Sequence, residues 1–133
     1  MKKPRTTALA AGLVAAASLL GLTTTPASAA SRHGCEWPNV CFYLTIADYN
    51  NNRPTASYQD VTSGFQTLGS RSRGARAVVN TRNDDRVMIR FSDAGMSYTT
   101  CVEPNQSWTP VPSVLTVTHV KIETQSACPT GPF

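Results

Sequence analysis

Beyond residue 30 the apolar positions fall into short runs separated by polar clusters, and none recur at the i, i+3, i+4, i+7 spacing of a helix. The runs are β-branched and aromatic, which favours strands. Val40-Cys41-Phe42-Tyr43-Leu44, Ser57 to Val61, Ala75 to Asn80, Arg86 to Phe91, Tyr98 to Val102 and Val114 to Glu123 are the predicted strands. In the fourth, Val87, Ile89 and Phe91 share one face while Arg86, Met88 and Arg90 share the other. In the last, Val120 and Ile122 point inward, and His119, Lys121 and Glu123 point to water.

Turn residues separate the strands. Asn50-Asn51-Asn52-Arg53-Pro54 cannot continue a strand, because asparagine favours turn geometry and Pro54 lacks an amide proton. Arg82-Asn83-Asp84-Asp85, Pro104-Asn105 and Pro110-Val111-Pro112 break the chain again. A faint internal repeat relates Val40–Leu44 to Val87–Phe91, Tyr58–Val61 to Tyr98–Cys101, and Ala77–Val79 to Val120–Ile122. Two units of three or four strands predict an all-β sandwich of two Greek-key motifs.

The first 29 residues read differently. Lys2, Lys3 and Arg5 precede an apolar stretch from Ala8 to Leu22, and Ala27-Ser28-Ala29 forms a small-x-small site. This is the pattern of a secretory signal peptide, too short for a membrane-spanning helix. Residues 1–29 are therefore expected to be removed. Residues 30–128 then form one domain, and 129–133 a loose tail. Removal also changes the charge. The chain has 12 basic and 8 acidic residues, but three of the basic ones lie in the leader, leaving a net charge of +1. Nucleic acid and membrane surfaces are thus not expected partners. The expected state is a secreted, extracellular monomer.

Export gives the cysteines their meaning. Cys35, Cys41, Cys101 and Cys128 allow three pairings. The short Cys35-to-Cys41 segment contains Pro38 and Asn39, which suit a turn. This favours Cys35–Cys41 with Cys101–Cys128, each worth about 2 to 4 kcal/mol by chain entropy. The alternative, zinc, needs closely paired cysteines, and the separations of 6, 60 and 27 do not supply them.

Catalytic chemistry has little foothold. His33 falls in an N-terminal stretch expected to be flexible, and His119 lies on a polar strand face. Neither has a patterned nucleophile or carboxylate beside it, so an enzyme is not expected. Asp84-Asp85 reads as a turn. Arg71, Arg73, Arg76, Arg82, Arg86 and Arg90 read as a solvated polar face.

Taken together, Val40-Cys41-Phe42-Tyr43, Asn52-Arg53-Pro54-Thr55-Ala56, Tyr58-Gln59-Asp60, Gln66-Thr67-Leu68, Arg73-Gly74-Ala75 and Asn80 to Asp85 resemble a known family. It is the family of actinobacterial secreted peptidase inhibitors typified by the Streptomyces metalloproteinase inhibitor, and the resemblance runs from about Cys35 to Cys128. It implies a βγ-crystallin-like fold, no cofactor, and an extracellular thermolysin-like zinc metallopeptidase as partner. Calcium sites of the crystallin type need hydroxyl residues after paired Asn or Asp, and Asn83 to Met88 lacks them.

The resemblance also implies an inhibitory bond. Thr100-Cys101-Val102 matches the family's reactive string, which would put Cys101 before the scissile bond and Val102 after it. The family closes this loop with a second cysteine nearby, whereas this chain has Gln106 there and must use a distant partner. Trp37-Pro38, inside the Cys35-to-Cys41 ring, is a second candidate contact loop. The other reading of function is a non-inhibitory secreted module of the same fold, a binding or toxin domain.

Overall fold

The computed structural model describes residues 31–131; the expected leader and the last two residues of the expected tail lie outside them. The strands are β1 (Val40–Tyr43), β2 (Ala56–Tyr58), β3 (Gln66–Thr67), β4 (Ala77–Asn80), β5 (Arg86–Asp93), β6 (Met96–Val102), β7 (Ser107–Trp108) and β8 (Thr116–Glu123). A short helix, α1 (Ile46–Asn50), follows β1. The strands form two antiparallel sheets. Sheet A has the order β2-β1-β4-β7 and sheet B the order β3-β8-β5-β6.

These orders contain a near-symmetry. In the first half β1 sits between β2 and β4; in the second β5 sits between β6 and β8. The third strand of each half crosses over: β3 pairs with β8 in sheet B, and β7 pairs with β4 in sheet A. The repeat seen in the sequence therefore corresponds to real units, but two of its matches slip. Val40 pairs with Tyr58, and its counterpart Val87 pairs with Val102, so Tyr58 corresponds to Val102 rather than Tyr98. By the same measure Val78, not Ala77, corresponds to Val120. Local similarity cannot see the pairing register that sets these matches.

The inner faces meet in one core. Val40, Phe42 and Val78 of sheet A pack with Val87, Ile89, Val102, Val117, Val120 and Ile122 of sheet B. The inward positions read in β5 and β8 hold, with Val87, Ile89, Val120 and Ile122 fully buried and Phe91 partly so, while Met88 on the opposite face of β5 is buried too. The pairing register is regular except at one place. Arg90 pairs with His119 but Phe91 pairs with Val117, so Thr118 is an inserted residue. The bulge lets Val117 and Val120, three apart, both face the core. Thr118 donates its hydroxyl to Arg90 O at 3.1 Å.

Sheet A is buried on its outer face too. Cys41, Tyr43, Ala77 and Val79 form a second cluster with Cys35, and Tyr49 of α1 packs against it. This is why Val40 to Tyr43 reads as an unbroken apolar run rather than an alternating one. The helix was not visible as periodicity because five residues are too few to show it. A local device starts it instead. Thr45 accepts from Asp48 N at 3.0 Å, and the Asp48 carboxylate accepts from Thr45 N at 3.2 Å. The asparagine run then ends it, with Asn51 as C-cap and Asn52 at φ 55°.

Tyr43 is fully buried here, and its hydroxyl donates to His33 O at 2.8 Å. Burial, with a smaller contribution from Tyr49, pushes its pKa from 10.0 up to about 12. The folded state thus resists an ionisation that the unfolded state allows. Stability from this group is intact below pH 10 and is lost as pH rises towards 12. Denaturant titrations should show unfolding free energy falling by about 3 kcal/mol over that window. Tyr43→Phe should remove most of that alkaline loss while costing about 1 kcal/mol at neutral pH.

Candidate functional site

The Cys35–Cys41 disulfide closes a small ring beside the start of β1. A turn leads into it, with Arg32 and Cys35 exchanging backbone hydrogen bonds at 3.0 and 2.8 Å. His33 and Gly34 adopt positive φ in that turn. A Cβ at position 34 would lie 2.1 Å from Asn52 O, so only glycine fits there. His33 is not in a loose segment as expected: its ring stacks on Tyr49 at 3.8 Å.

Inside the ring, Asn39 N donates to Glu36 O at 2.9 Å, forming a tight turn around Trp37-Pro38, whose peptide bond is cis. The rest of the protein then ties down the ring's carbonyls. Thr81 Oγ1 donates to Asn39 O at 2.8 Å and to Glu36 O at 3.2 Å, and Thr81 N donates to Asn39 O. Arg82 Nη1 donates to Pro38 O and to Gln59 O, both at 2.9 Å. Trp37 stands clear of this scaffold with 49% of its surface exposed.

Arg82 is held in turn. Its Nε donates to Asp85 Oδ2 at 2.5 Å and its Nη2 pairs with the same carboxylate. Beneath it Asn80 is completely buried. The Asn80 side-chain amide donates to Asp85 O at 2.9 Å, Glu103 O at 3.1 Å and Val102 O at 3.3 Å, while its oxygen accepts from Arg82 N at 3.0 Å. The last strand of one half and the 103–106 turn of the other are thereby joined. That turn closes through Gln106 N to Glu103 O at 3.1 Å, with Asn105 at φ 58° after Pro104. Asn105 N donates to Arg82 O, and Arg32 donates to Asn105 O. One end of the sandwich thus presents the ring and the 103–106 turn side by side.

The bond expected to be reactive is not in that exposed group. Cys101 and Val102 are the last residues of β6, paired with Met88 and Val87. Cys101 is bridged to Cys128, the pairing favoured from the sequence. Val102 is only 3% exposed and belongs to the core. Seating its side chain in another protein's cleft would require pulling it out of the core, at a cost of about 2 kcal/mol, and breaking its strand pairing. The segment is a structural strand end, while the surface loop begins one residue later at Glu103.

Three of the six clustered arginines make separate contacts. Arg82 serves the ring. Arg86 pairs with Glu123 at 2.6 Å, and Lys121 meets the same carboxylate at 2.5 Å. The hydrogen bond from Lys121, reinforced by Arg86, holds the Glu123 carboxyl below its ordinary value of 4.5. Arg90 lies over the Phe65 ring at 4.1 Å. Among the described residues no group of three or more His, Cys, Asp or Glu could hold a metal ion. A shallow, open depression lined by Val61, Lys121, Glu123 and Gln125 measures about 170 Å³, below the range that encloses a small-molecule ligand.

Sequence reading found the ring but missed Thr81, Arg82 and Asn80, which make it rigid. Asn80-Thr81-Arg82 was visible as the end of a strand entering a turn and as part of the Asn80-to-Asp85 string, neither of which points to the ring. No protein-family model, no curated protein and no solved structure matches this chain.

Asn80→Ala should lower unfolding free energy by about 3 kcal/mol, because it strands buried carbonyls without a donor. Hydrogen exchange at Asn39 and Thr81 should accelerate in the same variant, and denaturant unfolding with exchange mass spectrometry checks both.

Proposed function

We propose that this chain is a secreted, non-catalytic inhibitor of extracellular peptidases, of the thermolysin-like zinc class, that binds through the disulfide ring. The observation that carries this reading is Trp37, half-exposed on a loop whose backbone is hydrogen-bonded at Glu36, Pro38 and Asn39. A large aromatic on a rigid support is the residue type that dominates protein interfaces. A loop already ordered before contact loses little entropy on binding. The exchange of β3 and β7 between sheets supports the finer reading of the fold as two crystallin-type Greek keys.

The ring offers side chains rather than a bond to be cut. Glu36 O, the carbonyl before Trp37, already accepts from Asn39 N and Thr81 Oγ1, so it is not free to approach a zinc ion. Inhibition on this reading is occlusion: Trp37 plugs the cleft and the neighbouring 103–106 turn widens the contact. The second reading, a non-inhibitory secreted module, draws on the burial of Val102, which withdraws the family's reactive bond from the surface.

Purified protein beginning at residue 30, titrated against zinc, serine and cysteine peptidases, distinguishes the two. Inhibition of a zinc peptidase at nanomolar to micromolar protein is expected, and Trp37→Ala should weaken it by about 30-fold, equivalent to about 2 kcal/mol. Undiminished rates with every class, using protein whose disulfides and fold are intact, would leave only the second reading.

A further inference from the structure

The two sheets have four edges, and three are guarded. The edge strand β2 is three residues long, with Pro54 ahead of it and Asp60 behind. The edge strands β3 and β7 have two residues each, and Pro110 follows β7 closely. Short length, proline and charge are the usual means of stopping an edge from recruiting another strand.

The fourth edge, β6, is long and has none of them within the strand, although Glu103 and Pro104 follow its last residue. It runs for seven residues, Met96-Ser97-Tyr98-Thr99-Thr100-Cys101-Val102, without a charge, a proline or a bulge against β5. Among the described residues no backbone hydrogen bond reaches Ser97 to Thr100 from anything but β5. Its side chains add an apolar surface to the open backbone. Met96 is 59% and Tyr98 39% exposed, and Tyr98 stacks on Phe91, which leans on Trp108 in turn. The hairpin turn at Ala94-Gly95, both at positive φ, holds this end of the edge in place.

We infer that β6 is an interface for a second copy of this chain, paired antiparallel about a twofold axis at Tyr98. That register sets Tyr98 against its own copy, Ser97 against Thr99, and Met96 against Thr100. Every opposed pair is neutral, so self-pairing brings no like charges together. An aromatic faces an aromatic at the centre. The Cys101–Cys128 bridge lies one residue beyond the paired segment. The net charge of +1 that remains without residues 1–29 provides little long-range repulsion between copies. A single strand seam buries less than the roughly 1,600 Å² of a standard interface, so association belongs in the micromolar range or weaker. This dimer replaces the monomer expected from the sequence, and it is independent of the inhibitor reading because the ring does not take part.

Sedimentation equilibrium of the chain from residue 30, from micromolar to millimolar protein, tests it. The mass should rise towards twice the monomer value. Tyr98→Lys should weaken association by about tenfold or more by opposing two ammonium groups, and an equimolar mixture with Tyr98→Glu should restore it. Ser97→Lys, at an exposed position, should weaken it as well without disturbing the Phe91 stack, and near-ultraviolet circular dichroism checks that each variant is folded. A constant monomer mass across the range would overturn the inference, even if β6 took up a foreign extended peptide. So would a dimer that both lysine variants leave intact, or a charge-swapped mixture that stays monomeric.

Discussion

The exchange of β3 and β7 between the two sheets is the constraint on which this architecture rests. Each half of the chain lends its third strand to the other half's sheet. Neither half can complete its own layer, and the core between Phe42, Val78, Ile89 and Val120 closes only when both are in place. A small domain gains from such interlocking, because it has few apolar residues to bury and must make all of them count in one core. The disulfides complement it. One ties the N-terminal arm to β1, and the other anchors the segment after β8 to the edge strand β6.

Polar groups do the corresponding work at one end of the sandwich. Asn80, Arg82, Asp85 and Thr81 link β4, the following turn, the disulfide ring and the 103–106 loop. Each buried donor in this set meets an acceptor, which is the condition under which a buried polar network rigidifies rather than weakens a fold. Its consequence for function is that an exposed tryptophan stands on backbone that cannot easily yield. The same contacts occupy the carbonyls of Glu36, Pro38 and Asn39.

Charge explains less than it first suggests. Of the arginines clustered between Arg71 and Arg90, Arg82 and Arg86 are held by carboxylates and Arg90 by an aromatic ring. These three fasten elements together, while Arg71 and Arg73 stand exposed. The large apolar side chains left exposed are Trp37 at one place, Met96 with Tyr98 at another, and the isolated Val61 and Val114.

Much of this was written locally in the chain. The β class, the burial of Val87, Ile89, Val120 and Ile122, the favoured cysteine pairing and the turn at Pro104-Asn105 all follow from alternation, spacing and turn chemistry, which act over a few residues. The capping box at Thr45 and Asp48 was equally local, but its helix is too short to leave a period. Other features needed the folded molecule. Which sheet receives the two-residue strands β3 and β7, where the bulge at Thr118 falls, and how Asn80 reaches Glu103 depend on contacts between distant segments. Val102 shows the difference most plainly: a three-residue string has the same letters in a loop or a strand, and only pairing with Val87 puts that side chain inside.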